Sequence, residues 1–196
     1  NVFQLTQATN GQAGSVWNNI MINLNQPFSF DVDVFLGCNG GGADGIAFVL
    51  QPVSTSLGST GGGIGYQSIS PSFAVEFDTW LNSQYSDPWY NHAAIQKNGN
   101  LNHTGPSNLA GPVGFPPTGF SSIEDCQWHK AIFNWDPATT NFTLDFDGVQ
   151  ILNYTGDIVN TIFNGNPNVY WGFTGSTGGA NNLQRFRFNY DLPDTT

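Results

Sequence analysis

The chain has 196 residues, only 9% of them charged, and its four Lys and Arg against 14 Asp and Glu give a formal net charge of −10. That charge repels phosphate backbones and anionic lipid heads, which excludes nucleic acid and membrane-surface partners. No apolar run reaches the roughly 20 residues of a spanning helix, and the N-terminus lacks a basic and apolar leader, so the chain reads as mature or trimmed, with a length that fits one domain over 1–196.

In chain order, the first strand signal is 28–35, where apolar and polar residues alternate, followed by 45–50, 73–78, 130–135 and 141–146. Gly-, Pro- and Asn-rich connectors at 38–42, 58–65 and 102–119 separate these runs, and no window sustains a capped helical stripe. The pattern predicts an all-β chain folded as a sandwich. Cys38 and Cys126 form either one disulfide or two buried thiols, since spacing alone does not bring them together. The stretch 100–122 holds Pro106, Pro112, Pro116 and Pro117 and reads as a structured surface loop rather than a linker, because the strands on either side need each other to complete two sheets. Further on, Asp147-Gly148 signals a tight hairpin turn.

The segment 76–92 carries the chemistry. A period of two places Glu76, Asp78 and Trp80 on one strand face, with Val75 and Phe77 directed to the core. Asn82 follows, then Asp87 set in a turn by Pro88, then His92 at the start of a returning strand. Three carboxylates held within a few ångströms repel one another, and a bound cation removes that cost. The oxygens of Asp78, Asp87, Asn82 and a main-chain carbonyl near Trp80 suit Ca²⁺. The set Glu76, Asp78, Asp87 and His92 adds a nitrogen, which suits Mn²⁺ or a similar ion, with Asp78 and Asp87 shared between the two metals.

This spacing, Glu-x-Asp-x-aromatic-x-Asn, four residues, Asp-Pro, three residues, His, resembles the metal loop of the legume lectins and their L-type relatives. Three more segments are similar to the family's: Ala43-Asp44-Gly45, Gly61-Gly62-Gly63-Ile64-Gly65, and Trp171-Gly172-Phe173-Thr174-Gly175-Ser176-Thr177-Gly178. The wording is most like bacterial L-type lectin domains. The resemblance implies a concanavalin A-like jelly-roll of two antiparallel sheets. It also implies a secreted or cell-surface adhesion role and a non-catalytic module that takes mannose/glucose-type or galactose-type glycans with the help of Ca²⁺. Residue by residue, it implies metal ligands Glu76, Asp78, Trp80 through its carbonyl, Asn82, Asp87 and His92. For sugar it implies Asp44 as acceptor of two hydroxyl hydrogen bonds after a cis peptide, a backbone N–H from Gly62 or Gly63, the Trp80 ring, Asn82, and the variable loop at Gly178, Gly179 and Ala180. The family often holds a water with a Ser beyond the His. No such Ser follows here, so the second metal is Mn²⁺, another Ca²⁺ or none.

His103 and His129 have no ligand-spaced neighbours and read as structural, and Trp17, Trp128, Trp135 and Trp171 read as core or sheet-face residues. Two other functions compete with sugar binding. A metal-stabilised adhesin without sugar would leave Asp44, Asn82 and the glycine loop idle. A glycoside hydrolase of the same fold needs a second acid about 5 to 9.5 Å from the first, and Trp80 and Leu81 occupy the positions where a hydrolase strand motif carries it. Sugar identity and oligomeric state are not written in the residues.

Overall fold

The computed structural model describes residues 1–189; the last part of the expected domain, 190–196, lies outside the described residues. Among the described residues thirteen strands occur in chain order: β1 (Val2–Thr6), β2 (Ala13–Trp17), β3 (Ile22–Asn23), β4 (Phe28–Phe35), β5 (Gly45–Gln51), β6 (Phe73–Asp78), β7 (His92–Lys97), β8 (Asn108–Gly114), β9 (His129–Asp136), β10 (Asn141–Phe146), β11 (Val149–Thr155), β12 (Asn168–Ser176) and β13 (Gln184–Phe188). Helix is confined to a 3-10 turn at Ser83–Tyr85 and the four-residue α1 (Ile158–Thr161) among the described residues.

The strands form two antiparallel sheets. One runs β1-β13-β4-β9-β10-β11; the other runs β2-β12-β5-β6-β7-β8, with β3 pairing β12. The apolar residues of β4, β9, β10 and β13 face those of β5, β6 and β12, and aromatic pairs cross the gap between sheets. Phe48 stacks on Phe133 at 4.6 Å, Phe173 on Phe186 at 4.2 Å, and Phe73 meets Phe142 edge-on at 4.8 Å. Each such ring buries a large apolar area in the core of a sandwich, where inner faces interdigitate.

Alternation located β4, β6 and β10 with their full bounds. The turn Asp147-Gly148 has both residues at positive φ, 48° and 81°, as the predicted hairpin between β10 and β11 requires. The stretch 100–122 differs from a plain loop, because it contains β8, the edge strand beside β7. Pro112 hides this strand in the sequence, and an edge is where proline is tolerated.

On β6 all six residues are buried, so the face that carries Glu76 and Asp78 is covered as fully as the Val75 and Phe77 face directed to the core. The segment beyond β5 folds back over the outer face of the sheet, and Ile64, Tyr66, Ile69 and Leu101 pack there against Ala47, Val49 and Ala74. Glu76 is therefore sealed beneath a loop. Trp80 lies past the end of β6, off the strand face assigned to it.

Candidate functional site

Register brings the acidic residues to one end of the sheet. On β6, Asp78 is paired with His92 of β7 and with Gly45 of β5, while Glu76 is flanked by Ala94 and Ala47. These small neighbours leave the outer face open over Glu76, and larger side chains from the covering loops occupy it. Between β6 and β7 the chain doubles back: the Trp80 N–H donates to Asp78 Oδ1 at 2.8 Å, and the Asn82 N–H donates to Asp87 Oδ2 at 2.6 Å. Asp78, Asp87 and His92 thus come together, each offering a donor atom within 4.8 Å of the others.

His103, which sequence reading set aside as structural, joins this cluster. Its Nε2 lies 2.9 Å from His92 Nε2 and 3.3 Å from both Glu76 Oε1 and Asp87 Oδ1. No spacing rule could have found it, because it arrives from the turn before β8 rather than from the metal loop. Tyr66, also unassigned by sequence, donates its hydroxyl to Glu76. Gln96 had a legible signal, since it shares the β7 face of His92 at i+4; its amide meets His103 Nδ1 at 2.8 Å.

Burial sets the electrostatics. It pushes the Asp78 carboxyl well above its ordinary range, and the charges of Glu76 and Asp87 add to the push; the Glu76 carboxyl is likewise raised, mainly by burial. The His92 imidazole is lowered to about 4, first by burial and then by His103. Burial also acts against charge on His103, but the Asp87 carboxylate 3.3 Å away and the charge of Glu76 outweigh it and raise the ring. Among the described residues, Asp44 Oδ2, Glu76 Oε1, Asn82 Oδ1 and Asp87 Oδ1 are buried oxygens without a hydrogen-bond partner. Such groups are costly in isolation. A shared cation is the chemistry that satisfies several inward-facing oxygens and two imidazoles at once, so these residues fit a metal ion.

Beside the cluster is Asp44. It follows a cis Ala43–Asp44 peptide, and it is clamped between strands, its N–H donating to Ser176 O at 2.8 Å and its carbonyl accepting from Thr79 N at 3.1 Å. The residue is 4% exposed, and burial raises its carboxyl to about 6. Two glycines face this corner. A Cβ on Gly178 would stand 3.2 Å from Asp44 Oδ2, and one on Gly62 would strike the Asn82 side chain at 2.7 Å. A Cβ on Gly63 would meet Gln67 instead, so of the two candidate glycines it is Gly62 that borders Asn82. Gly178 N–H donates to Ala180 O at 3.1 Å, closing the variable loop, and Gly179 has open space on its Cα. Trp80 is 40% exposed.

Beneath the Asp44 loop lies Glu124, which sequence reading did not single out. It accepts from Asn182 Nδ2 at 2.8 Å, from Asn91 Nδ2 at 3.5 Å and from the Gly42 backbone. It thereby ties together the Asp44 loop, the metal loop and the segment before β13. Burial raises its carboxyl to about 7. Two residues on, Cys126 is bonded to Cys38, which settles the open alternative in favour of a disulfide. The remaining aromatic and imidazole groups lie elsewhere. Trp135 and Trp171 are buried in the core, Trp128 lies under the Arg187 guanidinium at 4.5 Å, and His129 bridges Asp125 and Asp147. Trp89 is exposed and stacks on Phe120 at 5.3 Å.

Comparison with known proteins gives a consistent picture. A family profile described as a legume lectin beta-barrel domain matches residues 1–190. The pesticidal crystal protein Cry22Aa of Bacillus thuringiensis is 26% identical over 218 aligned positions, covering 94% of this chain and 29% of that protein. The serine-rich adhesin for platelets of Staphylococcus aureus strain MRSA252 is 30% identical over 219 positions, 95% of this chain and 15% of the adhesin. The chain thus spans under a third of these relatives' length. Among solved structures, the metal-free form of lectin I-B4 from Griffonia simplicifolia aligns with a TM-score of 0.73 at 23% identity, covering 97% of this chain and 88% of that one. Winged bean acidic lectin complexed with methyl-α-D-galactose gives 0.70 at 21% identity, covering 94% and 83%. The VIP36 exoplasmic/lumenal domain in its Ca²⁺/Man3GlcNAc-bound form gives 0.69 at 16% identity, covering 97% and 81%. At these identities the structural likeness shows the fold.

Proposed function

The chain belongs to the L-type (legume) lectin family, and from that membership we propose that residues 1–196 form one calcium-dependent, non-catalytic carbohydrate-binding module. The observation that carries the reading is Asp44 Oδ2, a buried carboxylate oxygen that has no partner and lies against the bare Cα of Gly178. A sugar hydroxyl pair donating to Asp44 answers that deficiency, and an apolar pyranose face fits against the exposed Trp80 ring.

The cation acts on the sugar site indirectly. Asn82 and Asp87 hold the metal loop closed, and Ca²⁺ taken up by Asp78, Trp80 carbonyl, Asn82 and Asp87 keeps Asn82 beside Gly62. Support for this comes from the unpartnered Oδ1 atoms of Asn82 and Asp87, both free to accept a cation. A second metal would be held by Glu76, Asp78, Asp87 and His92. Adhesion at a cell surface is the setting suggested by the platelet adhesin relative. No helix among the described residues is long and apolar enough to cross a membrane.

A hydrolase reading is weaker, because Glu76 is fully buried under Tyr66 and cannot touch a glycosidic oxygen. Between mannose/glucose-type and galactose-type glycans the sequence and fold are neutral. The deciding measurement is a glycan array read with Ca²⁺ and again after chelation. Binding that needs Ca²⁺, is lost in Asp44→Asn, and leaves the Ca²⁺-dependent melting rise of that variant intact is expected. Equal binding by Asp44→Asn would remove Asp44 as the sugar acceptor, and binding unaffected by chelation would remove the calcium role.

A further inference from the structure

His103 sits where sequence patterning offered no ligand, and its surroundings are those of a metal donor. We propose that His103 Nε2 coordinates the second metal directly, making with His92, Glu76 and Asp87 a two-imidazole site that selects a first-row transition dication over Ca²⁺. The inference rests on the cation-site reading above and sharpens it, because a Ser-held water there would leave the ion one imidazole.

Distances support it first. Donor atoms about 2.0–2.2 Å from one ion lie roughly 2.8–3.6 Å from each other in octahedral or tetrahedral geometry. His103 Nε2 is 2.9 Å from His92 Nε2 and 3.3 Å from Glu76 Oε1 and from Asp87 Oδ1, the edges of such a polyhedron. Glu76, His92 and His103 each offer one atom within 4.8 Å of the others and are all buried. Glu76 Oε1 and Asp87 Oδ1 point into this space without a hydrogen-bond partner.

The ring orientations support it second. A metal-bound imidazole gives its other N–H to an acceptor, which fixes the tautomer. His92 Nδ1 faces the Tyr90 carbonyl at 3.2 Å, so its Nε2 lone pair is free for the ion. His103 Nδ1 faces the Gln96 amide at 2.8 Å, and Gln96 Oε1 is itself unpartnered. A half-turn of that amide sets Oε1 against Nδ1–H and frees His103 Nε2 in the same way. Two neutral imidazoles with carboxylates favour Zn²⁺, Co²⁺ and Ni²⁺ over Mn²⁺, whereas Ca²⁺ prefers oxygen alone.

The test uses the 196-residue chain stripped of metal and then held in CaCl2, so that the oxygen-rich site is filled. CoCl2 is titrated in while the visible d–d bands are followed, and ZnCl2 is added to displace it. One equivalent of Co²⁺, displaced by Zn²⁺, is expected in the native chain, with at least about tenfold weaker uptake in His103→Ser. Because that variant could lose its fold, the Co²⁺-loaded native chain is also read by paramagnetic NMR. Two hyperfine-shifted, exchangeable imidazole N–H signals support the site, and a single one overturns it, as does unchanged Co²⁺ affinity in a folded His103→Ser. Absence of Co²⁺ and Zn²⁺ uptake alongside a Ca²⁺-induced melting rise overturns this proposal alone. Absence of any metal effect overturns the calcium reading with it.

Discussion

Removing the disulfide should destabilise the chain by an amount set by the loop it closes. Cys38 and Cys126 are 88 residues apart, and the chain-entropy relation for a loop of that length gives about 15 cal/mol/K, or about 4.6 kcal/mol at 25 °C. For a chain of this size each 1 kcal/mol moves Tm by about 2–4 °C, so Cys38→Ala/Cys126→Ala should melt roughly 9–18 °C below the native chain. Urea unfolding followed by Trp fluorescence, extrapolated linearly to water, measures the free-energy difference. The bond joins the segment after β4 to the one carrying Glu124, the buried carboxylate beneath the Asp44 loop. Its loss should therefore relax the floor of the sugar corner as well, and the variant should bind glycan more weakly even where it remains folded. A stability loss under about 1 kcal/mol with unchanged glycan binding would refute the reasoning.

Three further outcomes are expected. Ca²⁺ at a hundred times its Kd should add about 2.7 kcal/mol of stability, seen as a melting rise of roughly 5–11 °C that chelation reverses; calorimetry with and without EDTA checks it. Gly178→Ala places a Cβ 3.2 Å from Asp44 Oδ2 and should weaken sugar binding about tenfold or more, with unfolding free energy within about 0.5 kcal/mol of native; an unaltered affinity would move the sugar away from that oxygen. In metal-free chain, Glu124 is held protonated up to about 7, above the ordinary value of about 4.3. Between those values the folded state keeps a proton that the unfolded state releases. Stability is thus full at low pH and falls as pH rises towards 7. Glu124→Gln should shallow the decline in Tm between pH 5 and 8, and an identical slope would show that Glu124 does not titrate there.

Residues 76–92 carried a fair share of the candidate site in their own spacing. Glu76 and Asp78 two apart on a strand, Asp87 before Pro88, and His92 at the head of β7 are local relations, and local geometry is what a sequence records directly. The alternating runs of β4, β6 and β10 were legible for the same reason. β8 was obscured because its Pro112 and Gly111 are turn-formers in most settings, and only its place at the sheet edge beside β7 accommodates them. The burial of the Glu76 face of β6 was not legible, because it comes from Ile64, Tyr66 and Ile69 of the connecting segment before the strand, whose folding over the sheet no periodicity records.

The order of charges, carboxylates and glycines thus fixed the class of chemistry: an acidic, all-β chain of the L-type lectin family with an oxygen-rich cluster. Tertiary structure decided which groups share one space. Asp44 comes beside Asp78 through the β5–β6 register, Gly62 rather than Gly63 faces Asn82, and Cys38 meets Cys126 across 88 residues. His103 reaches Glu76, Asp87 and His92 from the turn before β8. The physical reason is that side-chain periodicity reports only neighbours on one element, while a cation or a sugar is held by groups whose closeness depends on how separate strands and loops pack.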